Sequence, residues 1–529
     1  MPDPTPRTRE ASPPLLLGNQ RGVDDQLAGG VSACGEESDP PIVVRDGRAD
    51  HTPTPRLRRA GVAKGWTVSQ RGHSTHARGT TAPKRSVSST LSALARKAEG
   101  DEKHRFRSLY RLIDLQMLYE SFRGLKRSAA PGLDGVTVAD YEKDLDENLR
   151  SLHRRLIEKR YRAQNVRRRY IPKPGSKKLR PLGIPSLEDK IVQRAASQIL
   201  ESIFEADFSD RSIGYRKGKP GARDANYQLA RELYPGTCRW VVEADIRSFF
   251  DDVDHDWLVR MLEQRVEDRA FIGLVRKWLK AGVLEPGADD PLMPDAGTPQ
   301  GGVISPVLAN IYLHYVLDRW VEGAVRENSR GEVIFMRYAD DIIVCFERQD
   351  DAERYLHNLG GRLAKFSLRL AEEKSGLVKF NRWESDSSGK FTFLGFDFYW
   401  ARTRRNREHK MVKRRTNKKK YRAALAKMKE WIKEARNWPL KMVLSSLRLK
   451  LRGYWNYYSV IGNSSATWQY YSAVKMLVYK WLNRRSQRRS YRWGKFKELF
   501  IGGWDIPAPR VVEQRPTGLQ QQSLGLAKR

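Results

Sequence analysis

The sequence predicts an α+β chain whose mixed helices and strands give way to an all-α C-terminal part. Three observations point there. Apolar residues recur at helical spacing in stretches such as 109–124, where Leu109, Leu112, Ile113, Leu115, Met117, Leu118 and Phe122 line one face. Short runs rich in β-branched and aromatic residues, bounded by turn formers, lie at 239–246, 333–338, 342–346 and 391–399. Beyond a dense basic run at 402–422 only helical patterns follow, roughly 421–436, 440–461 and 470–486.

Taken in order, residues 1–90 are rich in Pro, Gly, Ser, Thr and Arg and lack periodic apolar positions. Such a segment cannot bury enough surface to offset the entropy of ordering it, and it reads as a disordered basic extension or as sequence upstream of the true start. Pro131-Gly132-Leu133-Asp134-Gly135 is a loop between helices predicted over 109–124 and 141–159. Strands at 167–172 and 177–184, joined by Pro172-Lys173-Pro174-Gly175-Ser176, read as a basic hairpin. Ser186, followed by Glu188 and Asp189, is a helix N-cap with acids in the first turn. Helices are predicted over 186–203, 257–264, 271–280, 301–325 and 351–367.

Charge narrows the function. The 529 residues hold 98 Lys+Arg against 63 Asp+Glu, a formal net charge of +35. A protein this basic needs polyanions, and nucleic acid gains affinity through counterion release at each neutralised phosphate. Cys34, Cys238 and Cys345 show neither zinc-site nor disulfide spacing, which suits a reducing, cytoplasmic location. No apolar run is long enough to span a bilayer, so no membrane partner is expected.

The chemistry is expected at three acids. Asp340 and Asp341 sit together in Tyr338-Ala339-Asp340-Asp341, between two apolar strands, and Asp245 ends a third strand upstream. Adjacent acids in a tight turn repel one another. Hard divalent cations such as Mg²⁺ relieve that repulsion, and two of them a few ångströms apart clamp the oxygens of a phosphoryl displacement.

These residues lie in blocks that resemble, in order, the reverse transcriptases encoded by bacterial group II introns, also called maturases. The blocks are Pro131–Gly135, Tyr170–Pro185, Ser212–Arg216, Asp245–Asp251, Gly297–Leu308, Tyr338–Asp341 and Thr392–Phe396; the resemblance runs from about Leu109 to about Phe500. Gly453-Tyr454-Trp455-Asn456-Tyr457-Tyr458 resembles the maturase, or X, domain.

The resemblance implies a right-hand polymerase: fingers and a palm with an antiparallel sheet, then an all-α thumb. The expected divisions are 1–90, 91–235 (N-terminal helices and fingers), 236–400 (palm), 401–505 (thumb and X domain) and 506–529 (a disordered tail). It implies RNA-directed DNA synthesis with two Mg²⁺ ions, Mn²⁺ being a substitute, held by Asp245, Ile246, Asp340 and Asp341. Lys173, Arg180 and Gln300 would meet the incoming dNTP, and Phe250 would exclude a 2′-hydroxyl. Partners would be the parent intron RNA, an RNA template and a DNA primer or target; a homodimer stays open.

Aromatics interleaved with cations in the C-terminal part suit RNA. Arg414, Arg415, Lys418, Lys419, Lys420, Arg448, Lys450, Arg452, Arg484, Arg485, Arg488 and Arg489 are the expected RNA contacts, and Trp455, Tyr458 and Trp481 the expected core. The His-Asn-His nuclease domain of many family members is not evident. Two alternatives remain: a domesticated or defence-type reverse transcriptase of the retron, diversity-generating or CRISPR-associated kind, and a splicing maturase without polymerase activity.

Overall fold

The computed structural model describes residues 86–172, 179–383, 389–403, 408–485, 488 and 490–511. Residues 1–85 of the expected extension (1–90), 512–529 of the expected tail (506–529), Lys173 and Arg489 lie outside the described residues; the rest of both segments is ordered, since a helix begins at Val87 and Ile506 is buried in the C-terminal core.

The N-terminal layer is helical: α1 (Val87–Gly100), α2 (Leu115–Arg123), α3 (Val138–Lys143) and α4 (Leu145–Ile157). The apolar stretch at 109–124 is not one helix. It splits into a 3₁₀ turn at Tyr110–Leu112 and α2, because Asp114 caps α2 by accepting from the Met117 amide. The hairpin pairs β1 (Val166–Pro172) with β2 (Leu179–Ile184), antiparallel, with Ile171 opposite Arg180. Ser186 then caps α5 (Leu187–Phe204) as expected, its side chain accepting from the Asp189 amide. The long helix α5 is buried along most of its length, beneath α1 and α2.

After α6 (Ala222–Glu232) comes β3 (Trp240–Arg247), then α7 (Phe249–Asp252), α8 (His255–Leu262), α9 (Arg269–Leu279) and β4 (Val283–Leu284). The expected 301–325 helix is interrupted. It is α-helical only over α10 (Ser305–Leu313), then widens into π turns at His314–Asp318 and Val321–Val325. Next come β5 (Val333–Tyr338), β6 (Asp341–Phe346), α11 (Gln349–Lys365), β7 (Arg369–Leu370) and β8 (Gly376–Lys379). These strands form the palm sheet, order β5-β6-β3-β7, with β8 also paired to β3. Its core includes Val241, Met336, Ile343 and Cys345.

A second sheet, β9 (Phe391–Phe393), β10 (Phe396–Arg402) and β11 (Lys410–Thr416), shares that core. The sequence suggests one strand over 391–399; the structure breaks it in two. Leu394 and Gly395 take positive φ (45° and 82°), which turns the chain between β9 and β10. The basic run supplies β11, whose Lys, Arg and Thr side chains alternate across a strand paired with β10.

The C-terminal helices α12 (Lys418–Ala435), α13 (Leu440–Tyr458), α14 (Ser464–Leu482) and α15 (Trp493–Glu498) enclose their own core of Ile432, Leu447, Trp455, Val474, Trp481 and Phe500. Among the described residues, no helix is long and apolar enough to cross a membrane.

One ion pair lies inside the palm. Arg337 and Asp318 are both at 0% side-chain exposure, and the guanidinium Nε and Nη2 each donate to a carboxylate oxygen at 2.6 Å. Asp318→Ala would strand the guanidinium, and urea unfolding followed by tryptophan fluorescence is expected to show a loss of about 3–5 kcal/mol. The double change Arg337→Met/Asp318→Leu is expected to recover most of it.

Candidate active site

The palm sheet places the three acids. In β3–β6 register Asp245 stands directly opposite Asp341, and Tyr338 is opposite Asp341 across β5–β6. Residues opposite in an antiparallel pair share a face at about 4.5–5.5 Å between Cα atoms. Asp340 lies in the turn itself, which Ala339 forms with a left-handed backbone (φ 56°).

The turn is held from beneath. Nη1 of Arg337 donates to the Ala339 carbonyl (3.0 Å) and to Oδ1 of Asn310 (3.2 Å), and Asn310 Nδ2 donates to the Gly214 carbonyl (2.8 Å). Gly214 lies so close that a Cβ there would come within 2.4 Å of the Ala339 nitrogen. Sequence reasoning missed Arg337 and Asp318. The signal was an arginine inside the apolar run 333–338, which demands a buried counter-charge.

Electrostatics follow from crowding. Burial, then repulsion from Asp340 and Asp245, pushes the Asp341 carboxyl up to about 6, against the pull of Lys420 and Lys374. Burial also raises Asp340, with Asp245 adding to it and Arg180 and Arg337 opposing. Asp341 itself reaches solvent, so the desolvation comes from the surrounding walls and the side chain is not enclosed. Asp245 accepts from the Lys374 ammonium. Lys374, raised chiefly by that hydrogen bond, is a second residue sequence reasoning missed. It lies 129 positions from Asp245 and follows two glutamates, where it reads as a solvated surface cation.

The expected nucleotide-side residues converge by backbone interlocking. Phe250 follows a left-handed Ser248 (φ 46°) on the short α7, and it is half-buried against Phe249. Its carbonyl accepts from the Thr298 amide (2.8 Å). The Gln300 carbonyl accepts from the Gly183 amide of β2 (2.8 Å), and Gly301 (φ 120°) would push a Cβ within 2.7 Å of the Gly183 oxygen. Gly297–Leu308 thus joins the Phe250 helix to the Arg180 hairpin. Ile246 has its side chain in the core (3% exposed), so its carbonyl is its only ligating atom.

The expected RNA contacts divide. Arg414 is 3% exposed with its guanidinium over the Tyr227 ring, because odd and even residues of β11 face opposite ways; it is not a surface phosphate contact. Arg448 is committed to the carbonyls of Trp504 and Asp505. Half-buried Arg485 donates to the Trp438 carbonyl. Arg415, Lys418, Lys419, Lys420, Lys450, Arg452, Arg484 and Arg488 are exposed. Trp455 and Trp481 are core as expected, and Tyr458 is half-buried.

A palm sheet that sets acids in an antiparallel hairpin, bounded by a basic fingers hairpin and followed by a helical thumb, defines a right-hand polymerase. Residues 171–398 match the reverse transcriptase (RNA-dependent DNA polymerase) family, and residues 421–500 match the group II intron, maturase-specific domain. The chain is 33% identical over 352 residues to Protein YkfC of Escherichia coli K12, covering 60% of this chain and 90% of that protein. It is 39% identical over 217 residues to the group II intron-encoded protein LtrA of Lactococcus lactis subsp. cremoris, covering 41% of this chain and 35% of that protein. It is 32% identical over 233 residues to the putative COX1/OXI3 intron 1 protein of Saccharomyces cerevisiae, covering 43% and 26%. The alignment with LtrA thus spans about a third of that relative's length. A truncated apo telomerase from Candida tropicalis superposes with a TM-score of 0.36 at 16% identity, over 47% of this chain and 55% of that one. The chain belongs to the family of group II intron reverse transcriptases with a maturase-specific domain.

The raised Asp341 carboxyl sets a sign. A carboxyl raised by folding binds its proton more tightly in the native state, so it destabilises the fold above about 6 and ceases to do so as pH falls toward the unfolded value near 4. In buffer free of divalent cations, Asp341→Asn is expected to unfold at a higher temperature than the wild type at pH 8, the gap closing near pH 4. Thermal melts across that range check it.

Proposed function

We propose that this protein is an RNA-directed DNA polymerase of a mobile group II intron that also binds the intron RNA and assists its splicing. The observation that supports it best is the β3–β6 register that sets Asp245 opposite Asp341 beside the Asp340 turn. The domain division at about 90, 235, 400 and 505 is part of the same reading.

Asp245, Asp340 and Asp341 would hold two divalent cations, Mg²⁺ with Mn²⁺ as substitute. Among the described residues no three His, Cys, Asp or Glu side chains are already closed into a ligand cluster. What fits is the donor chemistry: hard carboxylate oxygens, two of them raised chiefly by burial and further by neighbouring acids, and a third bonded to a lysine that can release it. When bound, such a pair favours ionisation of the primer 3′-hydroxyl and neutralises the charge developing on pyrophosphate. The Ile246 carbonyl is a further oxygen at that edge.

The protein's own residues do the rest. Arg180, exposed on β2 yet near enough to act on Asp340, meets the triphosphate, where negative charge builds up as the 3′-oxygen attacks the α-phosphate. Lys173 of the same hairpin shares that task. Phe250, held by the Thr298 amide, stands against the sugar and leaves no room for a 2′-hydroxyl. Gln300, with its backbone fastened to Gly183, positions the nucleotide between fingers and palm. Lys374 occupies the Asp245 carboxylate until substrate arrives.

Lys418, Lys419 and Lys420 open α12, where the helix dipole disfavours cations. Three lysines there are explained by phosphates, and Lys420 is close enough to Asp341 to act on it, which suits the backbone of a bound primer. Arg415, Lys450, Arg452, Arg484 and Arg488 remain the exposed candidates for intron RNA, with Arg489 beside them in sequence.

On poly(rA)/oligo(dT) with Mg²⁺, Asp340→Ala is expected to lower dTMP incorporation by roughly a thousandfold or more, since it removes one member of a unit that acts together. Equal incorporation by both proteins refutes the polymerase reading. Phe250→Ala is expected to reduce discrimination against ribonucleotides by about 10–100-fold, from the ratio of kcat/KM for dTTP and UTP.

A further inference from the structure

The fingers hairpin carries Arg180, yet little holds it. Its root is fixed: Val166 and Arg167 pair with Val283 and Leu284 of β4, and the Gly183 amide donates to the Gln300 carbonyl. Beyond the root, β1 and β2 pair only with each other. Packing does not hold this outer part either, since Tyr170, Ile171 and Leu179 are 44%, 38% and 52% exposed. A two-stranded ribbon without a covered face is marginal by itself.

One side chain reaches out to it. Glu285, the first residue after β4, accepts from Arg168 Nε with Oε1 (3.1 Å) and from the Tyr170 hydroxyl with Oε2 (2.9 Å). Both oxygens of a single carboxylate are spent on alternate residues of β1. Among the described residues, no other side chain from outside the hairpin bonds its outer part. The Arg168–Glu285 pair is sheltered, at 19% and 26% side-chain exposure, so salt screens it less than a surface pair. Glu285 is itself firmly mounted. Val283 and Leu292 exchange amide–carbonyl bonds (2.8 and 2.9 Å), and the Ala288 amide donates to the Glu285 carbonyl (3.1 Å) across a left-handed Gly287 (φ 83°). The turn that begins at Glu285 therefore closes on a strand already paired to β1.

Side-chain alternation gives the two faces of the hairpin different tasks. Arg168 and Tyr170 share one face. Ile171 and Arg180 stand opposite one another in the ladder and share the other face. From there the Arg180 guanidinium acts on Asp340. Glu285 thus grips the hairpin from behind, and its negative charge stays off the side that carries Arg180.

We propose that Glu285 is a positioning residue for the incoming nucleotide: by holding Arg168 and Tyr170 it fixes the hairpin, and so the reach of Arg180 toward the triphosphate. This rests on the role given to Arg180 above. Glu285 lies on the far face and meets no reacting group, so it acts only through β1 and the strand paired to it. An unheld ribbon would spread Arg180 over many positions, and each nucleotide would have to order it on binding.

The test uses the full chain on poly(rA) with a labelled, dideoxy-terminated oligo(dT) primer. Fluorescence anisotropy reads template–primer affinity, and the slowing of primer release by added dTTP reads nucleotide binding; extension of an ordinary primer is measured alongside. Glu285→Ala is expected to weaken dTTP binding roughly tenfold, the scale of a misplaced contact, with template–primer affinity changed less than about twofold. Glu285→Gln keeps the volume and one acceptor, and is expected to lose about threefold. In an Arg180→Ala background, Glu285→Ala is expected to cost less than about twofold, because a residue that acts through another has nothing left to position. Unchanged dTTP binding in Glu285→Ala overturns the inference. So does a loss of the same size that persists without Arg180, or an equal loss of template–primer affinity. A wild type that binds dTTP yet extends no primer sinks the polymerase reading instead, and the dTTP comparison still decides the role of Glu285.

Discussion

The candidate site depends on the Arg337–Asp318 pair. A fully buried guanidinium and carboxylate gain little net stability over apolar residues of the same size, since desolvation cancels most of their attraction. What the pair supplies is geometry. Asp318 sits in the π turn that follows α10, and Asn310 sits on α10 itself. Arg337 gathers both and still has a donor for the Ala339 carbonyl. The turn that carries Asp340 is thereby fixed to a buried helix, although its own backbone is left-handed at Ala339. A solvent-exposed turn would be free to move its acids apart, which their repulsion favours.

That repulsion is the second constraint. The palm core is apolar and close-packed, and it must absorb the cost of acids that face one another at its edge. Two cations from distant positions reduce the cost: Lys374, bonded to Asp245, and Lys420, which acts on Asp341 from the first turn of the thumb helix. Neither closes the site. Both side chains are exposed and can yield to a stronger charge. A site whose acids are held apart from neutralisation by design of the fold is less stable than the same fold with amides in their place. Functional sites commonly carry such a cost.

How much of this was legible in the sequence depended on whether the signal was local. The palm strands and the acids at their ends were legible, since apolar runs broken by Asp are local patterns. The Ser186 cap was legible for the same reason. The break at Leu394-Gly395 was not, because Phe391, Phe393, Phe396 and Phe398 keep an almost unbroken alternation through the turn. Strand β11 was hidden by its composition: a run of Lys and Arg reads as solvated chain, yet pairing with β10 puts Val412, Arg414 and Thr416 inside. Arg414 shows the general difficulty. Charge counts cannot tell a guanidinium over the Tyr227 ring from one in water. Lys374 and Asp318 were invisible because their partners lie 129 and 19 positions away, contacts that only the sheet and the helix packing create.

The Gly453–Tyr458 motif shows where the two matched domains join. Its aromatics look like a stacking surface for bases, but they are spent on packing. The Tyr457 hydroxyl donates to the Leu394 carbonyl (2.7 Å), Tyr457 and Tyr458 lie against Phe396, and Tyr454 stacks on Tyr470 at 3.8 Å. Asn463 closes the same joint by bonding Thr416 on β11 and the Tyr458 carbonyl. The thumb is thus seated on the β9–β10 turn, and that seating sets where α12 begins and hence where Lys420 stands relative to Asp341. The motif's rings are committed to packing and are not free to stack on bases.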